Sequence, residues 1–136
     1  MDTMPPTARG PRGATLLEMT IVIMILLTLI GGGLYFGGKI GEWRLGREAA
    51  ETLRMVYAAQ RMYLADNPTT PVASIKPEDL IPYLPAGRKK IPTITSLEGT
   101  ELTVNVAVSP PVVDAGDGDA YDPSKSPSDG VWDVGR

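Results

Sequence analysis

The feature that most constrains this chain is an apolar run near its N-terminus. Residues 19–38 are 20 consecutive positions without a charged side chain. Because a helix rises about 1.5 Å per residue, a run of this length is long enough to cross the hydrocarbon core of a bilayer. The sequence therefore predicts one membrane-spanning helix in contact with lipid. A signal anchor or a plain transmembrane helix is the simplest interpretation of the run by itself.

Composition narrows the class of function. The chain has 136 residues, enough for one small domain, and it contains no cysteine and no histidine. These absences remove disulfides, thiolate chemistry, the commonest general base and the commonest metal ligand. The formal net charge of −3 offers no basic surface for nucleic acid. We therefore expect neither an enzyme nor a nucleic-acid-binding protein.

The helical pattern continues beyond the apolar run. Apolar residues recur with a period of 3.6 on one face, while charged residues such as Arg54 occupy the other. Asn67-Pro68 is expected to end the helix, because the residue before proline disfavours helical geometry. The sequence thus predicts one helix from about residue 15 to residue 66. Its second half presents an apolar face made of Ala49, Ala50, Leu53, Val56, Tyr57, Tyr63 and Leu64, with Gln60 among them.

The sequence after the long helix predicts a small sheet and a loop-rich tail. Residues 67–90 are a proline-rich connector with one helical turn at 77–80. Residues 91–113 predict two strands around Gly99-Thr100 and a further short piece at Val112 and Val113. The second strand is expected to continue to Val108, since apolar residues alternate with polar or small ones up to that point.

Residues 114–136 form the acidic tail, in which 131–134 are expected to be a last edge strand or an anchor on the sheet. The predicted fold class is α+β, with a long N-terminal helix packed on a small antiparallel sheet.

A short motif precedes the apolar run. Residues 1–13 are rich in proline and glycine, and the chain continues as Gly13-Ala14-Thr15-Leu16-Leu17-Glu18-Met19. This junction resembles the class III leader junction of type IV prepilins and type II secretion pseudopilins. That junction has a glycine before the cut, a Thr-Leu pair, a glutamate as the fifth mature residue and then an apolar helix. Gly13, Thr15, Leu16 and Glu18 match it, while Ala14 replaces the commoner phenylalanine or methionine and Met19 the usual leucine.

The resemblance implies how the chain is processed and what it builds. A prepilin peptidase would cut between Gly13 and Ala14 and methylate the new Ala14 amine. Residues 1–13 would be the leader, 14–41 the transmembrane and filament-core helix, and 42–136 a small pilin-like periplasmic domain. The implied protein is a structural subunit of a helical pilus-like filament, a type II secretion pseudopilin.

The same resemblance implies partners and a location. The partners would be an inner-membrane assembly platform, further copies of the chain, and other pilins or pseudopilins. The protein would be a single-pass protein of the bacterial inner membrane with its C-terminal domain in the periplasm, and part of a filament after assembly. Arg9 and Arg12 precede the span, while Lys39, Arg44 and Arg47 follow it. This count is nearly balanced and slightly against a cytoplasmic N-terminus, so the orientation rests on the resemblance.

Glu18 invites a functional interpretation from its chemistry. A carboxylate within an apolar helix costs roughly 2.5–3.5 kcal/mol on insertion scales, so such a residue generally has a role. If the chain is cut before Ala14, Glu18 of one subunit is expected to neutralise the Ala14 ammonium of a neighbour, as the family is thought to do. The alternative is that Thr15 and Glu18 form a capping box that only starts the helix.

Glycines interrupt the apolar run. Gly33, Gly37 and Gly41 recur every four residues, which gives a face that lets helices approach closely. Gly31, Gly32 and Gly33 together also weaken the helix. The hypotheses are packing in a filament core and a stretch that unwinds on assembly. The alternative is that transmembrane helices simply tolerate glycine.

Two groups of charged residues in the second half each have more than one interpretation. Asp114, Asp117, Asp119 and Asp122 offer hard oxygen ligands suited to calcium, and major pseudopilins resemble this in using a C-terminal loop site. The alternative is a solvated acidic turn, and no other cofactor is expected. The basic run at residues 88–90 is either a solvated face or a contact with the acidic tail of another subunit.

Two other functions stay open at this point. The first is a type IV pilus subunit for adhesion, motility or DNA uptake, which would share the same junction. The second is a signal-anchored periplasmic binding module or enzyme. That second function predicts no cut at Gly13, or a cut after the apolar run near residues 31–33.

Overall fold

The computed structural model describes residues 14–135, and it has an α+β fold. A long helix, α1 (Ala14–Asp66), precedes a proline-rich connector and a three-stranded antiparallel sheet. The chain divides into two compact units, with the boundary between Lys39 and Ile40. Each unit is described by itself below.

Helix α1 confirms the helix predicted from the sequence. It runs without interruption for 53 residues. Asn67 follows its last residue, and both its backbone N–H and its side-chain amide donate to the Tyr63 carbonyl, at 2.9 and 3.0 Å. These bonds satisfy a carbonyl that the end of the helix would otherwise leave open. Pro68 then prevents a further helical turn.

The first unit is the apolar part of α1. Its large apolar side chains are exposed, and α1 is the one helix among residues 14–135 that is long and apolar enough to cross a membrane. Its polar side chains include two threonines that are satisfied locally. Thr20 Oγ1 donates to the Leu16 carbonyl, and Thr28 Oγ1 donates to the Met24 carbonyl, each at 2.8 Å. Hydroxyls paired in this way need no water, which suits a helix in lipid.

The connector of the second unit contains the predicted helical turn. It is α2 (Pro77–Leu80), with proline at its first position. The backbone N–H of Lys76 donates to Asp79 Oδ2 at 2.9 Å, which fixes the start of the turn. Leu80 at its end is fully buried. Three short 3₁₀ turns complete the connector, at Val72–Ser74, Ile81–Tyr83 and Pro85–Gly87.

The sheet consists of β1 (Ile94–Thr95), β2 (Glu101–Asn105) and β3 (Val112–Asp114), with β2 in the centre. Ile94 lies opposite Leu102, and Val104 lies opposite Val113. Gly99 has a φ of +82° in the turn between β1 and β2, a conformation that glycine adopts readily.

The predicted length of the second strand is wrong. β2 ends at Asn105 instead of continuing to Val108, because Asn105 Oδ1 accepts the Ala107 N–H at 3.0 Å and turns the chain. The carbonyls of Val106 and Val108 then accept hydrogen bonds from Gln60 Nε2 on α1, at 2.9 and 2.8 Å. A helix side chain therefore replaces the expected sheet pairing.

The tail at residues 131–134 is an anchor and not a strand. Trp132 is only 4 % exposed, and its backbone N–H donates to the Gly46 carbonyl of α1 at 3.0 Å. The expectation of an edge strand is therefore wrong, because the backbone bond goes to the helix. The core that the tail closes contains Ala49, Leu53, Val56, Ala59, Ile75, Leu80, Leu84, Ile94, Val104, Val106, Val113 and Trp132.

Candidate functional site

The residues of the leader junction fall at the start of the described chain. Gly13 lies outside the described residues, and Ala14 is the first residue of α1. Glu18 follows one turn later. Thr15 lies inside α1. Charge pairing by Glu18 and a capping box both stay predictions of the sequence.

Glu18 lies among exposed apolar side chains. Leu17 and Met19 on either side are each 65 % exposed, and Ile21 and Val22 one turn on are exposed as well. Exposure of so many apolar side chains to water is unfavourable, so lipid or other helices would cover them. A carboxylate in an apolar environment carries a free-energy cost, which a nearby cation reduces.

The glycines of the apolar segment leave open surface on α1. The helix continues through Gly31, Gly32 and Gly33 without a break. A Cβ built at any of these three, or at Gly37 or Gly41, would meet nothing within 4 Å. This surface is accessible to a second helix, as close helix packing requires.

The structure does not gather the four tail aspartates. Among residues 14–135, no group of three or more acidic, histidine or cysteine side chains is placed to hold a metal ion. Oδ1 of Asp114 accepts the Gly116 N–H, Oδ1 of Asp117 accepts the Asp119 N–H, and Oδ1 of Asp122 accepts the Ser124 N–H. These are local turns, so calcium binding stays a prediction of the sequence.

Sequence reasoning missed the contact at Gly46. A Cβ built there would lie 2.2 Å from Val131 Cγ1 and 2.8 Å from Trp132 Nε1. Glycine is therefore required for the tail to approach α1. The signal in the sequence is slight, a glycine that precedes Ala49-Ala50 on the buried face.

Arg54 also has a role that its place on the charged face does not suggest. It is exposed, yet its Nε donates to the Val134 carbonyl at 2.9 Å. Asp133 Oδ1 accepts the N–H groups of Gly130 and Gly135, which closes the turn that carries Trp132. Together these bonds attach the end of the tail to α1.

Tyr121 connects the tail to the β1–β2 turn. Its hydroxyl donates to Glu98 Oε2 at 2.9 Å and accepts the Leu97 N–H at 3.0 Å. Its ring packs edge-on against Trp132, with centroids 5.2 Å apart. The pKa of Glu98 is lowered, first by its own backbone N–H and then by the Tyr121 hydroxyl. Burial raises the pKa of Tyr121.

A pocket of about 370 Å³ lies beside these two aromatic rings and is called the tail pocket below. Its walls are mainly apolar, and Asp122 and Asp133 contribute carboxylates. Its lining comprises Pro110, Pro111, Val112, Ala120, Tyr121, Asp122, Pro127, Trp132, Asp133, Val134 and Gly135.

The described residues present an exposed apolar segment of α1 that contains one carboxylate, an open glycine surface and a small domain with an apolar pocket. Comparisons with protein-family models, with curated proteins and with solved structures found no match to the chain.

Proposed function

We propose that the chain is a structural subunit of a helical pilus-like filament, a type II secretion pseudopilin. A prepilin peptidase cuts it between Gly13 and Ala14 and methylates the Ala14 amine. An assembly platform of the bacterial inner membrane then adds the subunit to copies of itself and to other pilins or pseudopilins. The domain after the membrane segment lies in the periplasm.

One observation carries this proposal. Glu18 lies at the start of a continuous helix, one turn after Ala14, within a segment whose apolar side chains are all exposed. A plain membrane anchor has no use for a carboxylate in its apolar helix, since it raises the cost of insertion. A subunit that must pair its Glu18 with the Ala14 ammonium of a neighbour does have a use for it.

The small domain supports the same function. Its core is closed by the contact of Trp132 with Gly46 on α1, so the sheet and tail are built directly on the helix. The fold has no disulfide, because the chain has no cysteine.

Mass spectrometry of the mature N-terminus tests the proposal. In cells with an active prepilin peptidase, the first residue should be Ala14 carrying a methyl group. Gly13→Val should leave the leader attached while the protein still inserts in the membrane. A mature N-terminus near residues 31–33, or an intact leader, would refute the proposal.

A further inference from the structure

The tail pocket combines an apolar interior with negative charge. Tyr121 and Trp132 supply aromatic surface, while Asp122 and Asp133 line the same pocket. Residues 114–133 contain six aspartates and a single lysine, Lys125. A side chain with a long apolar stem and a positively charged head fits such a pocket. Its stem can lie against the apolar walls, and its head can lie near the carboxylates.

Asp133 is incompletely satisfied in the single chain. Its Oδ1 accepts two backbone N–H groups, but its Oδ2 is shielded from solvent and accepts no hydrogen bond from residues 14–135. A shielded carboxylate oxygen without a donor is unfavourable. A cation seated in the pocket would lower that cost through its charge.

The same chain exposes a matching cationic segment. Arg88, Lys89 and Lys90 are three consecutive exposed cations directly after the turn Pro85–Gly87. Within the part of the chain that the structure describes, their side chains form no hydrogen bond or ion pair. None of the three lines the tail pocket of its own chain.

We infer that the basic run 88–90 of one copy binds at the tail pocket of a second copy. Lysine or arginine stems lie against Tyr121 and Trp132, and their charged heads lie near Asp122 and Asp133. In the proposed filament, each copy uses its basic run toward one neighbour and its tail pocket toward the other. Head-to-tail contacts of this kind produce a ring or an open helical assembly. The inference rests on the proposed filament function and names a contact between its subunits.

A zero-length cross-linking experiment tests this contact directly. Full-length protein labelled with heavy nitrogen is mixed with unlabelled protein in bilayers and treated with a carbodiimide, which joins lysine amines to carboxylates in direct contact. We expect cross-links between labelled and unlabelled copies from Lys89 or Lys90 to carboxylates of residues 114–133. Lys76 is the matched control, since it is an exposed lysine of the same connector. Its links should be about tenfold rarer, because exposed charges without a complementary surface form no lasting contact.

A charge-removing variant provides the second measurement. Replacing Arg88, Lys89 and Lys90 together with glutamine should weaken association in the same bilayers about tenfold at low salt, since several exposed ion pairs are lost at once. Lys76→Gln should associate like the original protein. All four positions are exposed, so the variants keep the core intact.

The outcomes separate this inference from the proposed function. Cross-links found only within one copy, equal links from Lys76, or unchanged association of the triple variant would each overturn the inference. If these occur while Ala14 is still the mature N-terminus and filaments form, the proposed function stands and the contact is wrong. Cross-links between copies of a protein whose leader stays intact in cells with an active prepilin peptidase would support the contact and refute the function.

Discussion

Trp132 and Gly46 are joined by a backbone hydrogen bond of 3.0 Å that attaches the acidic tail to helix α1. The side chain of Trp132 lies directly over Gly46, where a Cβ would come within 2.8 Å of its Nε1. The helix therefore has a glycine at a position where helix propensity alone would favour alanine. Packing with the tail, and not local preference, determines this residue.

Gly46→Ala should destabilise the domain. Alanine is favoured over glycine in a helix by about 1 kcal/mol, but the clash with Val131 and Trp132 forces the tail to move, and overpacking costs about 1–3 kcal/mol. We expect the clash to dominate, with a net loss and a lower thermal midpoint for the full-length protein in detergent. Gly41→Ala is the matched control. A Cβ there meets nothing, so the helix gain should remain and the midpoint should not fall. Equal midpoints for the two variants would contradict this account.

Gln60→Leu should cost about 1–3 kcal/mol of unfolding free energy, because the Val106 and Val108 carbonyls lose their donors. Gln60 is fully buried, so water does not replace the lost bonds at Val106. Chemical denaturation of the full-length protein measures the change. Arg61→Leu introduces the same side chain at the next, exposed position and should change the free energy by less than about 0.5 kcal/mol. Similar losses in both variants would exclude a specific role for the glutamine amide.

Acid should weaken the link between the tail and the β1–β2 turn. The pKa of Glu98 is lowered below its ordinary value of 4.5 in the folded chain, so the folded state holds its proton less tightly than the unfolded state. The resulting stability is present above pH 4.5 and is lost as the pH falls through the lowered pKa. The test follows the thermal midpoint as the pH is lowered.

Glu98→Gln should reduce the fall of that midpoint in acid. Glu101→Gln, which changes an exposed carboxylate on the neighbouring strand, should leave the fall unchanged. An identical acid response of the Glu98 variant and the original protein would show that the Glu98 carboxylate contributes nothing to this loss of stability.

Glu18→Val should insert in the membrane at least as well as the original protein, because a carboxylate is removed from an apolar helix. It should nevertheless give far fewer filaments, since the Ala14 ammonium of the neighbour loses its partner. Membrane fractionation and electron microscopy of sheared filaments measure the two effects. Thr20→Val is the control, since the Thr20 hydroxyl is already bonded to Leu16 within its own chain. Normal filaments from the Glu18 variant would refute the pairing.

The helix and the core face of the second unit were predictable because their determinants are local. The apolar period of 3.6 residues identifies the helix and its buried face, and the Asn67-Pro68 pair identifies the end of the helix. Both signals lie within a few residues of the structure that they specify. The buried residues Ala49, Leu53 and Val56 follow from the same period. The helical turn at Pro77 was also predictable, from its proline and its acidic residues.

The errors arose where a distant residue competes with local preference. Alternation of apolar residues predicts a strand up to Val108, but Gln60 binds the carbonyls of Val106 and Val108 from across the core. The need for glycine at position 46 depends on Trp132, which no local pattern identifies. The positions of Glu18 and the glycines on α1 were predictable, whereas their proposed partners lie outside the single chain.

The bond between Gly46 and Trp132 also affects the order in which the domain folds. It joins residues 86 positions apart, from 46 to 132. Closing a loop of that length costs roughly 4 kcal/mol of chain entropy. Ribosomes make Gly46 long before Trp132, so during synthesis the α1 surface beneath the tail stays open to water and to chaperones. The domain therefore completes its core only after Trp132 has been made, and a chain interrupted before Trp132 leaves this surface of α1 uncovered.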